Sequence, residues 1–194
     1  DERGNGNLMT PAKVLEAAKL IRTGEIVSLG MPYDTRMPIA PGRAYALRMP
    51  GGPTGGPYGE KSRTIWNDEF IATEIGQIGT QMDALGHLGC MCGAKGDKTN
   101  MLFYNGNKLS DMWSPYGLKK LGMENAPPFF TRGVLFDVQG LKGRVLDVGE
   151  EIQLADLKAC LERQGVSEDI IKPGDAVFVR TGHGSRWYTD TATF

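Results

Sequence analysis

Four side chains able to do chemistry sit close together in the stretch "QIGTQMDALGH", residues 77–87. Gln77, Gln81, Asp83 and His87 all share one parity. Asp and His are common ligands of divalent cations, and each can also move a proton. In extended chain all four would face one side. A straight strand from 77 to 83 spans about 20 Å, far beyond the roughly 2.1 Å over which a ligand reaches an ion. Convergence therefore needs bends, and Gly79 and Gly86 are residues that permit them. Gln81 and Asp83 can share a centre with little bending, and His87 can join after a turn at Leu85-Gly86. The chemistry would be metal-assisted hydrolysis. A cation held by a carboxylate and an imidazole lowers the pKa of bound water and polarises a carbonyl oxygen. By spacing alone, a Gly-Thr turn with a nearby Asp and His is more often structural. The two glutamines are the anomaly, because an amide is neither acid nor base.

The elements that must position these residues follow from pattern. Residues 10–22, "TPAKVLEAAKLIR", predict a helix with Thr10 as N-cap and Pro11 in its first turn. Its apolar stripe is Val14, Leu15, Ala18 and Ile21, and Gly24 supplies the stop. "EIVSLG" (25–30) predicts a short strand. Residues 30–62 predict one long loop without periodicity, densest in Pro and Gly at "PGGPTGGPYG". "EFIATEIGQI" (69–78) predicts the strand leading into the motif. "RGVLFDV" (132–138) and "DAVFVRT" (175–181) predict buried strands, apolar on both faces. "QLADLKACLERQG" (153–165) predicts a helix between them, with Leu154, Leu157 and Leu161 on one side and Gly165 as its stop. "KPGD" (172–175) predicts the turn that launches the last strand. Strand, helix, strand gives an α/β or mixed domain.

The 194 residues suffice for one domain with a sizeable core. A net charge of -1, without a Lys/Arg run, gives no electrostatic reason to bind nucleic acid or an anionic membrane. Apolar runs are too short to span a bilayer. Three cysteines, an odd number, argue against a disulfide framework and for a reducing, cytoplasmic compartment. "HLGCMC" (87–92) contains His87, Cys90 and Cys92, an incomplete zinc set for which buried thiols are the simpler reading. A Cys90 nucleophile with His87 as base lacks an orienting third group. Trp66 is either a core residue or a stacking surface for a planar substrate, and Phe70 is expected in the core. Arg132, Asp175 and Arg180 are expected to serve ion pairs or turns.

"GTQMDALGH" resembles the signature of the metal-dependent cyclase family, which includes bacterial kynurenine formamidases and isatin hydrolases. That family's pattern is His-x-Gly-Thr-His-x-Asp-x-x-x-His, and Gly79, Thr80, Asp83 and His87 match it in register. The stretches "MTPAKVLEAAKLIRTGEIVSLGMP", "YNG" (104–106), "TRGVLFDV", "IQLADLKACLERQG" and "IKPGDAVFVRTG" resemble further blocks of the family in the same order. The resemblance implies a swivelling β/β/α cyclase-like domain with a mixed sheet or barrel, assembled as a homodimer or homotetramer. It implies one domain over 1–194 that lacks its C-terminal part, since family members continue past the strand ending in "RTG".

The family's two upstream histidines are Gln77 and Gln81 here, which departs from a two-metal site. A neutral amide oxygen suits Mn²⁺ or Mg²⁺ better than Zn²⁺, so the expected cofactor is a divalent metal, Mn²⁺ favoured and Zn²⁺ possible. The resemblance implies Asp83, Gln81, His87 and Gln77 as metal-site residues, with Asp83 and His87 catalytic. Thr80 would orient the turn through its hydroxyl. Trp66 and Asn67 would line the entrance to the site, and His183, after "RTG", would contact substrate. The implied reaction is opening of a C–N bond in an amide or cyclic amide, or of a lactone, by a metal-activated water acting on a small molecule. A non-catalytic relative that binds a ligand or a subunit is the alternative, and a lyase using the same carboxylate as base is a third.

Overall fold

The computed structural model describes residues 1–190; the last part of the tail expected after the final strand, 191–194, lies outside the described residues. The chain divides into two compact units. One comprises Asp1–Ile26 with Asp83–Gly182, the other Val27–Met82 with His183–Phe194. Along the chain run α1 (Pro11–Ala18), β1 (Tyr45–Arg48), β2 (Phe70–Thr73), β3 (Gly89–Met91), β4 (Met101–Phe103) and β5 (Asn107–Lys108). These are followed by α2 (Leu109–Met112), β6 (Trp113–Ser114), β7 (Gly117–Leu118), β8 (Gly133–Phe136), α3 (Val138–Lys142), α4 (Leu154–Arg163) and β9 (Ala176–Val179). The result is a mixed α/β structure with several small sheets and, among the described residues, no closed barrel. No helix among these residues is long and apolar enough to cross a membrane.

In the first unit, β8 and β9 pair in parallel, Val134 opposite Val177 and Phe136 opposite Val179, with α3 and α4 in the crossover. Parallel strands require such a crossover. Val134, Phe136, Val138, Leu146, Cys160 and Leu161 form the core, and Leu157 and Ile152 pack against it. β8 alternates, burying Val134 and Phe136 and exposing Leu135, so it is covered on one face only. In β9, Val177, Phe178 and Val179 are all exposed. The expectation of two strands buried on both faces is thus corrected: a two-stranded sheet has two open edges, and only the helix side covers it. Leu154, placed on the apolar side of α4 by its spacing, is 68% exposed; Leu161 carries the burial. Asp156 accepts from the backbone N–H of Gln153 at 2.9 Å at the start of α4, and Gly165 ends it at φ +68°.

α1 starts as expected, with the Thr10 side chain accepting from the Lys13 N–H. It is shorter than 10–22, and its buried residues are Lys13 and Ala17, while Leu15 and Ile21 are exposed. The ion pair explains this departure. Lys13 Nζ lies 2.6 Å from Asp175 Oδ1, with Lys13 7% and Asp175 0% exposed in their side chains. Arg132 also binds Asp175, through Nε at 3.1 Å and through Nη2. The Lys172 N–H donates to the same carboxylate at 2.8 Å. Burial alone would raise the Asp175 pKa, but the hydrogen bonds from Arg132 and Lys13 hold it well below the usual carboxylate range.

The second unit has its own small core of Met37, Ile78 and Trp187, with Met31 and Tyr45 against it. β1 and β2 form an antiparallel hairpin, Tyr45 opposite Thr73 and Arg48 opposite Phe70, extended by a bridge between Gly55 and Trp66. The predicted 30–62 loop therefore contains a strand. The predicted strand 69–78 is only four residues long, ending at Thr73. Phe70 is exposed rather than core, with the Arg48 guanidinium 5.2 Å above its ring. Residues 25–30 form no strand, and Ile26 is 94% exposed. β propensity without a neighbouring strand to complete its hydrogen bonds does not make a strand.

Candidate functional site

The motif crosses the boundary between the units: Gln77 to Gln81 belong to the second, Asp83 and His87 to the first. Within the second unit, residues 75–80 are bends rather than strand. Gln77 adopts φ +63°, in the left-handed region, so the period-two rule that aligned Gln77 with Gln81 stops applying there. The Ala40 N–H donates to the Gln77 carbonyl at 3.4 Å. Gly79 is required by contact: a Cβ on it would lie 2.5 Å from Tyr33 Cε1. The Tyr33 hydroxyl donates to the Thr80 carbonyl at 2.5 Å, and the Met31 N–H donates to Thr80 Oγ1 at 2.8 Å. The Thr80 hydroxyl thus fixes the turn against segment 31–33. Gln81 is half-buried, and its Oε1 is the atom nearest a Cβ built on Gly76, at 3.9 Å.

Beside this turn lies a cavity of about 350 Å³, lined among others by Met31, Pro38, Ile78, Trp187, Gln77 and Thr80. It is mainly apolar with a few polar groups, the composition of a small-molecule site. Trp187 is the aromatic wall that sequence reasoning missed; its only signal was a Trp soon after the "RTGH" block. Trp66 and Asn67 do not line this cavity. Trp66 stacks on Tyr58, ring centroids 4.8 Å apart, and Asn67 is exposed. His183 opens a single 3₁₀ turn, His183–Arg186, immediately before Trp187. Nearby in this unit, Tyr188 Oη donates to Asp34 at 2.7 Å and Arg36 binds the same carboxylate at 2.8 Å. The Arg36 guanidinium and the Tyr188 hydroxyl lower the Asp34 pKa to about 2.

In the first unit, the expected turn at Leu85-Gly86 is present, with the His87 N–H donating to the Ala84 carbonyl at 3.0 Å. Gly86 donates to the Leu121 carbonyl, and a Cβ there would lie 2.5 Å from Leu118 Cδ1. Close packing against α2 and β7 therefore demands glycine at this bend. The turn brings His87 Nε2 to 3.8 Å from Asp83 Oδ2, with both side chains about one-third exposed, 35% and 36%. A carboxylate and an imidazole are both donor types that divalent cations take. No cluster of three or more His, Cys, Asp or Glu placed for a metal occurs among the described residues. Cys90 and Cys92 are exposed, not the buried thiols expected; Cys160 alone is buried. Asp175 and Arg132 form the ion pair described above, and Arg180 pairs with Asp137 at 2.8 Å, as structural roles require.

No curated protein matches the chain. A crystal structure of a novel cyclase is 34% identical, with a TM-score of 0.76 over 97% of this chain and 62% of that one. This chain thus spans less than two thirds of that protein's length. The model of the Cyclase family matches residues 27–194, a span that contains the whole motif. The chain belongs to the cyclase family.

Proposed function

We propose that the protein is a metal-dependent hydrolase that opens an amide, a cyclic amide or a lactone in a small molecule. The observation that carries this reading is the 3.8 Å pair of Asp83 and His87, held by the Gly86 turn in a motif of the cyclase family. The group supplied from outside is a divalent cation, Mn²⁺ favoured and Zn²⁺ possible, which when bound acidifies water and polarises a carbonyl. Asp83 would hold the cation through its carboxylate. His87 either holds it as the neutral imidazole or takes and returns the proton at Nε2. Gln81 is a further ligand and Gln77 a ligand or outer hydrogen-bond donor, by their positions in the motif. Within the second unit, the apolar cavity of Trp187, Ile78 and Met31 has the character of a small-molecule pocket. His183, Trp66 and Asn67 are secondary substrate contacts in this reading. The protein acts in the cytoplasm as a homodimer or homotetramer, as one cyclase-like domain of swivelling β/β/α type.

A non-catalytic, ligand-binding relative is the second reading. It is favoured by the two glutamines and by the absence, among the described residues, of a three-ligand His/Cys/Asp/Glu cluster. Elemental analysis of the purified chain separates the two, alongside turnover on an amide and lactone panel. Asp83→Ala should lose the metal and all turnover. An Asp83→Ala protein with full activity overturns the mechanism, and a wild-type chain that holds no Mn²⁺ or Zn²⁺ supports the binding protein.

A further inference from the structure

A second constellation lies outside the proposed catalytic residues, on the hairpin of β3 and β4. Cys90 pairs across it with Leu102, and the Cys92 N–H continues the ladder to the Asn100 carbonyl at 2.9 Å. Residues two apart on a strand share a face, so both thiols project together. The Cys92 thiol donates to the Cys90 carbonyl at 3.7 Å. Both cysteines are exposed. The hairpin's connection is firmly built: Asp97 accepts from the Thr99 N–H at 2.9 Å and its hydroxyl and from the Asn100 amide, each at 2.5 Å. Gly93 packs against Asn100, where a Cβ would meet the amide at 2.9 Å.

We propose that Cys90 and Cys92 form a two-thiolate site for a soft, monovalent d¹⁰ cation, Cu(I). The two other fates of adjacent thiols fit this hairpin less well. A strand rise of about 3.3 Å puts the two Cα atoms about 6.6 Å apart, close to the roughly 6.8 Å limit of disulfide geometry. Two sulfurs converging on one ion, each at about 2.3 Å, meet no such limit. Structural zinc needs four ligands and finds no cluster of three among the described residues. Soft thiolates select Cu(I), which needs as few as two ligands. Binding replaces both S–H bonds by S–Cu bonds and releases two protons to solvent, with no change of oxidation state.

The test is an anaerobic titration of the full chain with Cu(I), supplied as its acetonitrile complex, in competition with bicinchoninate. The wild type should withdraw one Cu(I) per chain and gain a sulfur-to-copper absorption in the near ultraviolet. Cys90→Ser and Cys92→Ser should each lose both signals while circular dichroism stays unchanged. Asp83→Ala should keep them, which separates this site from the hydrolase reading. Retention of copper by either single Ser variant overturns the proposal. So does a wild-type chain that yields all its copper to the chelator, or an Asp83→Ala chain that holds Zn²⁺ equally well.

Discussion

Asp175 is fully buried with two cations and a backbone N–H on one carboxylate. A buried charge is tolerated only when paired in this way. Asp175→Asn would strand Lys13 and Arg132, and urea unfolding should show a loss of about 3 kcal/mol. The folded-state pKa is depressed, so the contribution is complete above the ordinary carboxylate value of about 4 and fades as pH falls below it. Acid titration of stability should therefore flatten in the Asn variant. "KPGD" was legible as a turn, and a structural role for Asp175 was expected. The partner Lys13 was hidden, because a lysine on a helix reads as solvent-facing unless its distant carboxylate is known. At the motif, the Gly86 bend and the Thr80 hydroxyl contact could be read from residue type. The Tyr33 contact that forces glycine at 79 could not, since it joins segments 46 residues apart.

At the scale of elements, ends were easier to read than faces. Thr10 and Gly165 mark the boundaries they should, because caps and left-handed stops are local. Which side of a helix is buried depends on what packs there. On α4, Leu154 is exposed and Leu161 buried, although both lie on the same apolar side by spacing. Thermal unfolding should separate them: Leu154→Lys should change stability by less than about 0.5 kcal/mol. Leu161→Ala should cost about 2–5 kcal/mol. Strand lengths were overestimated at 69–78 and 25–30 for a related reason, since a strand extends only as far as a partner pairs with it.

At the scale of the molecule, the motif and the blocks around it carried the family in the sequence, and residues 27–194 match it. The division into two units was not legible, because the second is made of sequence pieces far apart, Val27–Met82 and His183–Phe194. Many large apolar side chains stay exposed, among them Ile71 on β2, Leu135 on β8 and Phe178 on β9. The proposed homo-oligomer would cover some of them, since contiguous exposed apolar surface marks association sites. Light scattering of the full chain should give two or four times the chain mass. A monomer at every concentration tested would remove the homo-oligomer from the proposed function.

The left-handed Gln77 has one further consequence. A non-glycine residue in that region costs about 1 kcal/mol, and glycine at the same place would relieve it. Gln77 also lines the cavity beside the turn. Gln77→Gly should therefore raise the melting temperature and weaken ligand binding together. A protein that became tougher as its pocket became less selective would mark the strain at Gln77 as a trade of robustness for recognition.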